Sequence, residues 1–313
     1  MHTSGRTLRL ATRGSPLARF QADLVAARLR ASDPASAVEV VVVETAGDRR
    51  ADVPISSFAE RGVFVVEVER AVLDGAADVA VHSAKDLPAG APPAGLVLAA
   101  VPDRADVRDA LVGRSLATLR PGATVATGAV RRRAQLAAAR PDLVFAELRG
   151  NIATRLERVP DGGSVVVALA ALVRLGLESR AADVLDTAVV LPQVGQGALA
   201  LRCREDDRDA LARLAVIDDV PSHRSVRAER AFLARLGGGC DAPVGAHAAP
   251  VDPADPLGAL AIEGLVATRD GSTVVRRSAT GRDPEALGAG LADAIARSGE
   301  GARALAGGWA SPA

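Results

Sequence analysis

The stretch LRLATRGSP, residues 8–16, sets a strand directly before the start of a helix. Leu8 to Thr12 is typical of a strand. Ser15-Pro16 is an N-cap followed by a proline at the first helical position, which predicts a helix to about Arg30. The same order recurs further along: strands are predicted at 38–44, 78–82, 123–127, 143–148 and 164–169, with helices at 64–73, 130–139 and 152–159. This alternation predicts an α/β fold whose largely parallel sheets are flanked by helices.

Two polar or glycine-containing segments, residues 102–106 and 191–197, interrupt this pattern and are predicted to be hinge crossings. After Pro221 the pattern changes to a helix that ends near Leu236, then short strands with a hairpin at Asp270-Gly271, then a helix that starts at Asp283. The tail after Gly299 is expected to fray. The last third of the chain is therefore predicted to be a separate region of mixed helix and strand.

Composition limits the class of protein. The 313 residues are 49% hydrophobic, with 38 basic and 38 acidic side chains. This apolar fraction is enough for two or three globular cores and excludes a disordered chain. The balanced charge gives no sign of a nucleic-acid or membrane partner, and the longest apolar run, residues 165–173, is too short to cross a bilayer. With two cysteines and no apolar signal segment near Met1, the expected location is the cytoplasm.

The basic residues are almost all arginine, because Lys85 is the one lysine in the sequence. In so arginine-rich a chain, a retained lysine is expected where a compact ammonium group matters. Lys85 stands in HSAKD, residues 82–86, after a predicted strand. Its charge would keep the carboxylate of Asp86 ionised and suited to charge stabilisation or proton transfer. The alternative is an incidental ion pair on a surface turn, with His82 a packed strand-end residue.

Polar clusters also follow three other predicted strands, at residues 12–15, 127–132 and 149–151. In open α/β sheets the ligand crevice lies where parallel strands end, and helix N-termini there carry positive potential. The cationic members of these clusters, with a following helix residue, are Arg13, Arg131, Arg132, Arg149 and Arg155. Any one arginine has the simpler interpretation of a solvated helix face. Together they predict an anionic ligand, either a polycarboxylate or a phosphate.

The two cysteines have different settings. Cys240 follows three glycines after a predicted helix, which favours an exposed thiol that a bulky group can approach. Cys203 lies in the apolar segment LALRC, residues 199–203, and is expected to be a small buried hydrophobe. Neither cysteine has a histidine nearby in sequence, so a thiol protease lacks its base, and metal-ligand spacing is absent.

Taken in order, these segments resemble the hydroxymethylbilane synthase (porphobilinogen deaminase) family along nearly the whole chain. The matching stretches are ATRGSPLA at 11–18, VHSAKD at 81–86, LRGN at 148–151 with TRL at 154–156, RLGL at 174–177, VGQGA at 194–198 and GGC at 238–240. The resemblance implies two lobes like those of periplasmic binding proteins, joined by a double hinge, and a small C-terminal α+β domain. The implied domains are 1–101 with 198–217, 106–192 and 220–313.

The resemblance also implies the chemistry. A dipyrromethane cofactor, attached to Cys240 as a thioether, would prime the stepwise deaminating condensation of four porphobilinogen molecules. Hydrolysis would then release the linear tetrapyrrole hydroxymethylbilane, the precursor in porphyrin and heme biosynthesis. Asp86 matches the catalytic carboxylate, which would stabilise the azafulvenium cation left when ammonia departs.

The resemblance also explains the number of arginines, because each pyrrole ring carries acetate and propionate groups whose carboxylates arginine side chains can bind. By resemblance, the cofactor-binding residues are Ser83, Lys85, Thr127, Arg131 and Arg132, and the substrate-binding residues are Arg13, Ser15, Phe64, Arg149, Arg155 and Arg174. A monomer without metal, nucleic acid or membrane partner is implied.

This sequence departs from the family pattern in two places. Gly128 and Ala129 stand where serines are usual, and Arg61 and Val66 stand where lysines are frequent, in or next to a loop, residues 48–61, expected to cover the active site. Because of these departures, one alternative remains open: a catalytically degenerate paralogue that keeps the fold without turnover. The other alternative is a two-lobed, non-catalytic protein that binds a small anion, although that leaves Cys240 and the Lys85-Asp86 pair unexplained.

Overall fold

The computed structural model describes residues 5–45, 65–238 and 242–306. These residues form two compact units. Unit 1 comprises the described residues up to Arg104 together with Ala198–His223, and unit 2 comprises Ala105–Gly197 and the described residues from Arg224 onward. The chain therefore leaves unit 1 within the first predicted hinge segment and returns directly after the second.

Strands and helices are numbered here in chain order. The strands are β1 (Leu8–Arg13), β2 (Val38–Val43), β3 (Val79–Ser83), β4 (Leu96–Ala100), β5 (Asp109–Gly113), β6 (Thr124–Ala126), β7 (Val144–Ala146), β8 (Ser164–Ala168), β9 (Ala181–Leu185), β10 (Leu199–Arg204), β11 (Val244–Pro250), β12 (Leu260–Ala267) and β13 (Val274–Gly281). The helices are α1 (Pro16–Ser32), α2 (Val66–Leu73), α3 (Val130–Ala139), α4 (Ile152–Glu157), α5 (Leu169–Arg174), α6 (Arg208–Ala215), α7 (Val220–Leu236), α8 (Pro284–Arg297) and α9 (Gly299–Ala306).

Unit 1 is built on a five-stranded sheet in the order β2-β1-β3-β10-β4. β1 runs parallel to β2 and β3, whereas β10 is antiparallel to β3 and β4. The buried stripe of α1, including Ala22, Val25 and Leu29, packs with Leu8 and Leu10 of β1. This packing holds the ends of β1 and β3 side by side at one edge of the sheet.

Unit 2 contains a second sheet of the same design, in the order β7-β6-β8-β5-β9, with β5 as the antiparallel strand. Successive residues of β8 pack into different cores, since Val165 and Val167 belong to one cluster and Val166 to another. A sheet covered on both faces explains why β8 is continuously apolar. Because β5 is antiparallel, its first residue, Asp109, lies at the edge where β6 and β8 end.

Unit 2 also contains the small antiparallel sheet β11-β12-β13. Its core includes Phe232 of α7, Ile262 of β12 and Leu291 of α8. Gly264 in β12 makes room for Phe232, because a Cβ there would lie 2.7 Å from two ring carbons. The hairpin between β12 and β13 turns at Gly271, whose φ of +76° favours glycine.

The predicted fold class is confirmed: the structure has two α/β sheets, each largely parallel, and a small C-terminal sheet domain. The expected fraying after Gly299 is wrong for residues 299–306, since α9 forms there and buries Ala304 in the core of the small sheet; residues 307–313 lie outside the described residues. β4, β5, β9 and β10 were not predicted, because short apolar runs do not show their secondary structure by periodicity. The three domain boundaries stay a prediction. Among the described residues, every helix is too short or too polar to cross a bilayer.

Candidate active site

In unit 1, two of the predicted clusters meet at one sheet edge. β1 and β3 are neighbouring parallel strands, so Arg13 at the end of β1 and Ser83 at the end of β3 lie at the same edge. Ser15 is the N-cap of α1, as predicted, and its Oγ accepts a hydrogen bond from the Ala18 amide at 3.3 Å. The start of α1 therefore adds its positive end to this edge.

The HSAKD segment turns sharply after β3. Ala84–Asp86 forms a single 3₁₀ turn, in which Lys85 is half-buried and Asp86 is exposed. Ser83 is held by the buried Gln21 of α1, whose Nε2 lies 2.9 Å from Ser83 Oγ. The sequence analysis missed Gln21, although a glutamine beside the apolar stripe of α1 was a signal. Gln21 thus fixes Ser83, the residue directly before the turn, and Asp86 at the end of the turn is exposed.

His82 is a packed residue. It is 5% exposed, and its Nε2 lies 3.8 Å from Glu69 Oε1 without a hydrogen-bond partner among the described residues. Glu69 of α2 pairs instead with Arg202 of β10, and both side chains are buried. Burial, and then the positive charges of Arg202 and Arg13, lower the pKa of His82 to about 3. His82 is therefore neutral near pH 7 and does not serve as a proton donor there.

The depressed pKa of His82 predicts acid sensitivity of unit 1. The unfolded chain binds a proton at His82 below about pH 6.5, whereas the folded chain does not until near pH 3, so stability is lost as pH falls. Between pH 7 and pH 5 we expect a loss on the order of 2 kcal/mol, which His82→Gln should largely remove. Thermal unfolding of both proteins across this pH range measures it, with His223→Gln as a matched histidine control. An unchanged pH dependence in His82→Gln would contradict the assignment.

In unit 2, the arginines that follow β7 are oriented by nearby acceptors. Arg149 pairs with Glu147 at 2.9 Å and remains partly exposed, and Arg155 donates from Nε to the Gly150 carbonyl at 2.8 Å. Asn151 caps α4 as predicted, accepting from the Thr154 amide at 3.0 Å. Arg149 and Arg155 thus lie on one loop and helix start, and the Arg149–Glu147 pair at the surface is weak enough for a ligand carboxylate to replace.

Arg174, the last residue of α5, has a different position. Its Nη2 donates to the Gly197 carbonyl at 2.6 Å, within the VGQGA segment. The side chain is half-buried. Arg174 therefore supports the second hinge segment in this structure.

Arg131 and Arg132 are buried rather than displayed at the surface. They are 4% and 5% exposed, and each places one Nη2 on a different oxygen of Asp109, at 2.8 Å and 2.7 Å. Although burial by itself raises the pKa of Asp109, the two guanidiniums hold that pKa well below its usual range. The sequence analysis missed Asp109. The sequence held one indication of it: Asp109 directly precedes the apolar run Ala110-Leu111-Val112. An acidic side chain buried with such a strand requires a charged or polar partner.

Arg131 also lines a small cleft of unit 2. Ala129 and Gln193 line the same cleft, together with Ala242, which follows Cys240 by two residues in the sequence. The Nε atoms of Arg131 and Arg132 are buried without a hydrogen-bond partner in the described part of the chain. Of these two arginines only Arg131 lines the cleft, and its unsatisfied cationic donor fits a ligand that carries carboxylates, as the dipyrromethane implied by the resemblance does.

Gly128 and Ala129, which stand where serines are usual, differ in what a serine side chain would meet. Gly128 is a point of close approach, because a Cβ there would lie 2.5 Å from the Leu148 carbonyl oxygen. Ala129 is the N-cap of α3, with no side-chain hydrogen bond to the helix. Thr127, which is buried, instead accepts from the Ala129 amide through Oγ1 at 3.2 Å. A serine is therefore excluded by backbone at position 128 and would improve the helix start at position 129.

These positions give a matched pair of serine variants. Ala129→Ser should add an N-cap hydrogen bond and stabilise the protein by about 1 kcal/mol. Gly128→Ser should force the backbone near Leu148 to shift and destabilise it by about 1–3 kcal/mol. We expect Ala129→Ser to change the steady-state rate by less than about tenfold, or ~1.4 kcal/mol. Thermal unfolding measures the stability of the two variants, and a porphobilinogen consumption assay measures the rate of Ala129→Ser. Equal stability of the two variants would contradict this interpretation of the two positions.

Two predicted site residues, Cys240 and Phe64, lie outside the described residues, as does the expected covering loop at 48–61. The other cysteine, Cys203 in β10, is fully buried, as predicted. Burial raises the pKa of its thiol to about 11. Cys203 is therefore unsuited to form a thioether at neutral pH.

The fold and these strand ends define a class: a protein of two α/β lobes whose parallel strands end in groups suited to an anionic ligand. Comparison with family models identifies the family within this class. The model described as porphobilinogen deaminase, dipyromethane cofactor binding domain, matches residues 8–212, and the porphobilinogen deaminase C-terminal domain matches residues 223–297. The chain belongs to the porphobilinogen deaminase family.

Proteins of this family are similar in sequence to this chain along most of its length. It is 44% identical over 299 residues to porphobilinogen deaminase of Syntrophotalea carbinolica, covering 93% of each protein. It is 47% identical over 303 residues to that of Acidothermus cellulolyticus, covering 93% of this chain and 89% of the relative. Among solved structures, it is similar to a TRAP periplasmic solute binding protein from Desulfovibrio salexigens, at 12% identity and a TM-score of 0.40, over 69% of this chain and 73% of that one.

The predicted family, transferase class and dipyrromethane cofactor are confirmed by these matches. The roles of individual site residues stay predictions, and the contacts described above are the basis for the proposals that follow.

Proposed function

We propose that this protein joins four porphobilinogen molecules head to tail on a dipyrromethane held by Cys240, releases one ammonia for each, and then releases hydroxymethylbilane by hydrolysis. The observation that carries the proposal is the edge of the unit 1 sheet. There, an exposed carboxylate, Asp86, ends the 3₁₀ turn after β3 and lies at the same edge as Arg13. In a chain of this family, a carboxylate so placed is suited to the reacting centre.

Asp86 would have two tasks. When ammonia leaves a porphobilinogen, positive charge develops on the pyrrole, and a carboxylate oriented near the ring N–H stabilises that charge. The carboxylate can also accept the proton released when the new carbon–carbon bond forms. When bound, the dipyrromethane supplies the pyrrole α-carbon to which the first substrate is joined. Ser83, which Gln21 fixes, and Lys85 would bind carboxylates of the dipyrromethane.

The remaining cations would bind carboxylates of the substrate or the cofactor. Arg149 and Arg155 are half-buried, on one loop and helix start, and suit incoming substrate. Arg131, which lines the same cleft as Ala242, suits the cofactor, and we assign the buried Arg132 and Thr127 to it as well. We assign Arg13 and Ser15 to substrate because they follow β1, next to the Asp86 turn.

Intact mass of the purified full-length protein tests the proposal. We expect an increment equal to two porphobilinogens less two ammonias, and further increments when substrate is added. A consumption assay on the same sample should show turnover. A fully loaded but inert protein would indicate the degenerate paralogue, and a protein without increment or turnover would indicate an anion-binding protein.

We also propose that the protein acts as a monomer in the cytoplasm, without a nucleic-acid partner. A reducing compartment keeps the thiol of Cys240 available for cofactor attachment. The formal net charge of zero supports the absence of a polyanionic partner.

A further inference from the structure

Asp109 is a fully buried carboxylate that connects three polar side chains in unit 2. Its oxygens accept from Arg131 and Arg132, and Oδ1 also accepts from Gln196 Nε2 at 2.9 Å. Gln196 belongs to the VGQGA segment and also donates to the Val107 carbonyl at 2.7 Å. Asp109 therefore joins the start of α3 to the second segment predicted to be a hinge.

The need for a carboxylate follows from helix physics. Arg131 and Arg132 lie in the first turn of α3, where the helix dipole is positive and a cation is disfavoured. Burial adds to the cost of holding two neighbouring guanidiniums there. The antiparallel direction of β5 brings its first residue to this edge, and Asp109 neutralises one of the two positive charges.

The guanidinium of Arg131 is fixed on two sides. Nη2 donates to Asp109, and Nη1 donates to the Leu191 carbonyl at 2.6 Å. The same carbonyl accepts from Gln135 Nε2 at 3.0 Å, while Gln135 Oε1 accepts from the Leu191 amide at 2.7 Å. Such a side chain has little freedom to reorient, so its cleft-lining position is set before a ligand arrives.

We propose that Asp109 is a positioning residue for the cofactor site: it holds Arg131 in place and reduces the charge of the arginine pair so that the pair accepts one carboxylate. This inference rests on the proposed function of Arg131 and Arg132. A purely structural counter-ion would support the fold of unit 2 and nothing more.

A double-mutant cycle separates these roles, using wild type, Asp109→Asn, Arg132→Met and the double variant as full-length proteins. Asp109→Asn alone leaves two buried cations uncompensated and should strongly destabilise unit 2, so the decisive comparison is the double variant against Arg132→Met. Removing one cation restores the wild-type net charge of this cluster in the double variant, but Arg131 then lacks its Asp109 partner. Its thermal unfolding midpoint should therefore lie above that of Asp109→Asn and below that of Arg132→Met, which keeps the Arg131–Asp109 pair.

The readouts are the fraction of purified chains that carry the cofactor mass increment and the KM of the loaded fraction for porphobilinogen. We expect the loaded-to-unloaded ratio in the double variant to fall at least about tenfold below that in Arg132→Met, since a misplaced Arg131 loses a charge-assisted hydrogen bond. The KM should be unchanged. Equal loading, or a loss of loading that is accompanied by a higher KM, would overturn the proposal. A wild-type protein without increment or turnover would instead reject the proposed function.

Discussion

Replacement of Cys240 by serine is expected to give a full-length protein whose mass lacks the two-ring increment and whose turnover of porphobilinogen is undetectable. The thiolate is the nucleophile that forms the thioether, and a serine hydroxyl remains protonated and far less nucleophilic at neutral pH. Intact mass spectrometry and the consumption assay measure both effects on one preparation.

Cys203 provides the matched control. It is fully buried in β10, and burial raises the pKa of its thiol to about 11. Cys203→Ala, which leaves no unpartnered hydroxyl in the core, should keep the increment and most of the activity, although the loss of a small buried group lowers stability. An increment that disappears with Cys203 and survives in Cys240→Ser would reverse the assignment.

Asp86→Asn should retain the cofactor or an early enzyme-bound oligomer and reduce turnover by about a thousandfold or more, equivalent to ~4 kcal/mol of transition-state stabilisation. The amide has nearly the same shape as the carboxylate, but it cannot balance a developing positive charge or accept a proton. Because Asp86 is exposed, folding should be unaffected, and thermal unfolding confirms that the loss is catalytic.

Asp74→Asn is the control for Asp86→Asn. Asp74 is also exposed and belongs to unit 1, but it precedes β3, so it lies toward the opposite edge of the sheet. Its replacement should leave turnover within about threefold of wild type, as expected for a surface change away from the site. Near-normal product formation by Asp86→Asn would remove Asp86 from the mechanism.

The arginines show where sequence reasoning reached its limit. Position after a strand placed Arg131 and Arg149 at the ligand edge of one sheet, and both lie at that edge. Position could not show that Arg149 remains partly exposed beside Glu147 while Arg131 is buried against Asp109. Asp109 is 22 residues away in sequence, so only the pairing of β5 brings the two together.

Gly128 and Ala129, which replace the usual serines, show that sequence reasoning also could not predict which backbone atoms come close together. From the sequence, Gly128 and Ala129 are two missing hydroxyls of equal weight. In the fold, Gly128 allows the Leu148 carbonyl to approach within a distance that no side chain permits, and Ala129 is an uncapped helix start. Local residue identity cannot show which backbone atoms from another strand will be close.

The sequence by itself determined the α/β class, the caps at Ser15 and Asn151, and the order of motifs that identifies the family, because each depends on residues near one another in the chain. Tertiary structure alone decided that His82 is neutral, that Asp109 joins two arginines and that Gln21 holds Ser83. Those properties depend on burial and on charges brought from distant segments. Desolvation and Coulomb interactions act through space, so they are set only when the sheets have formed.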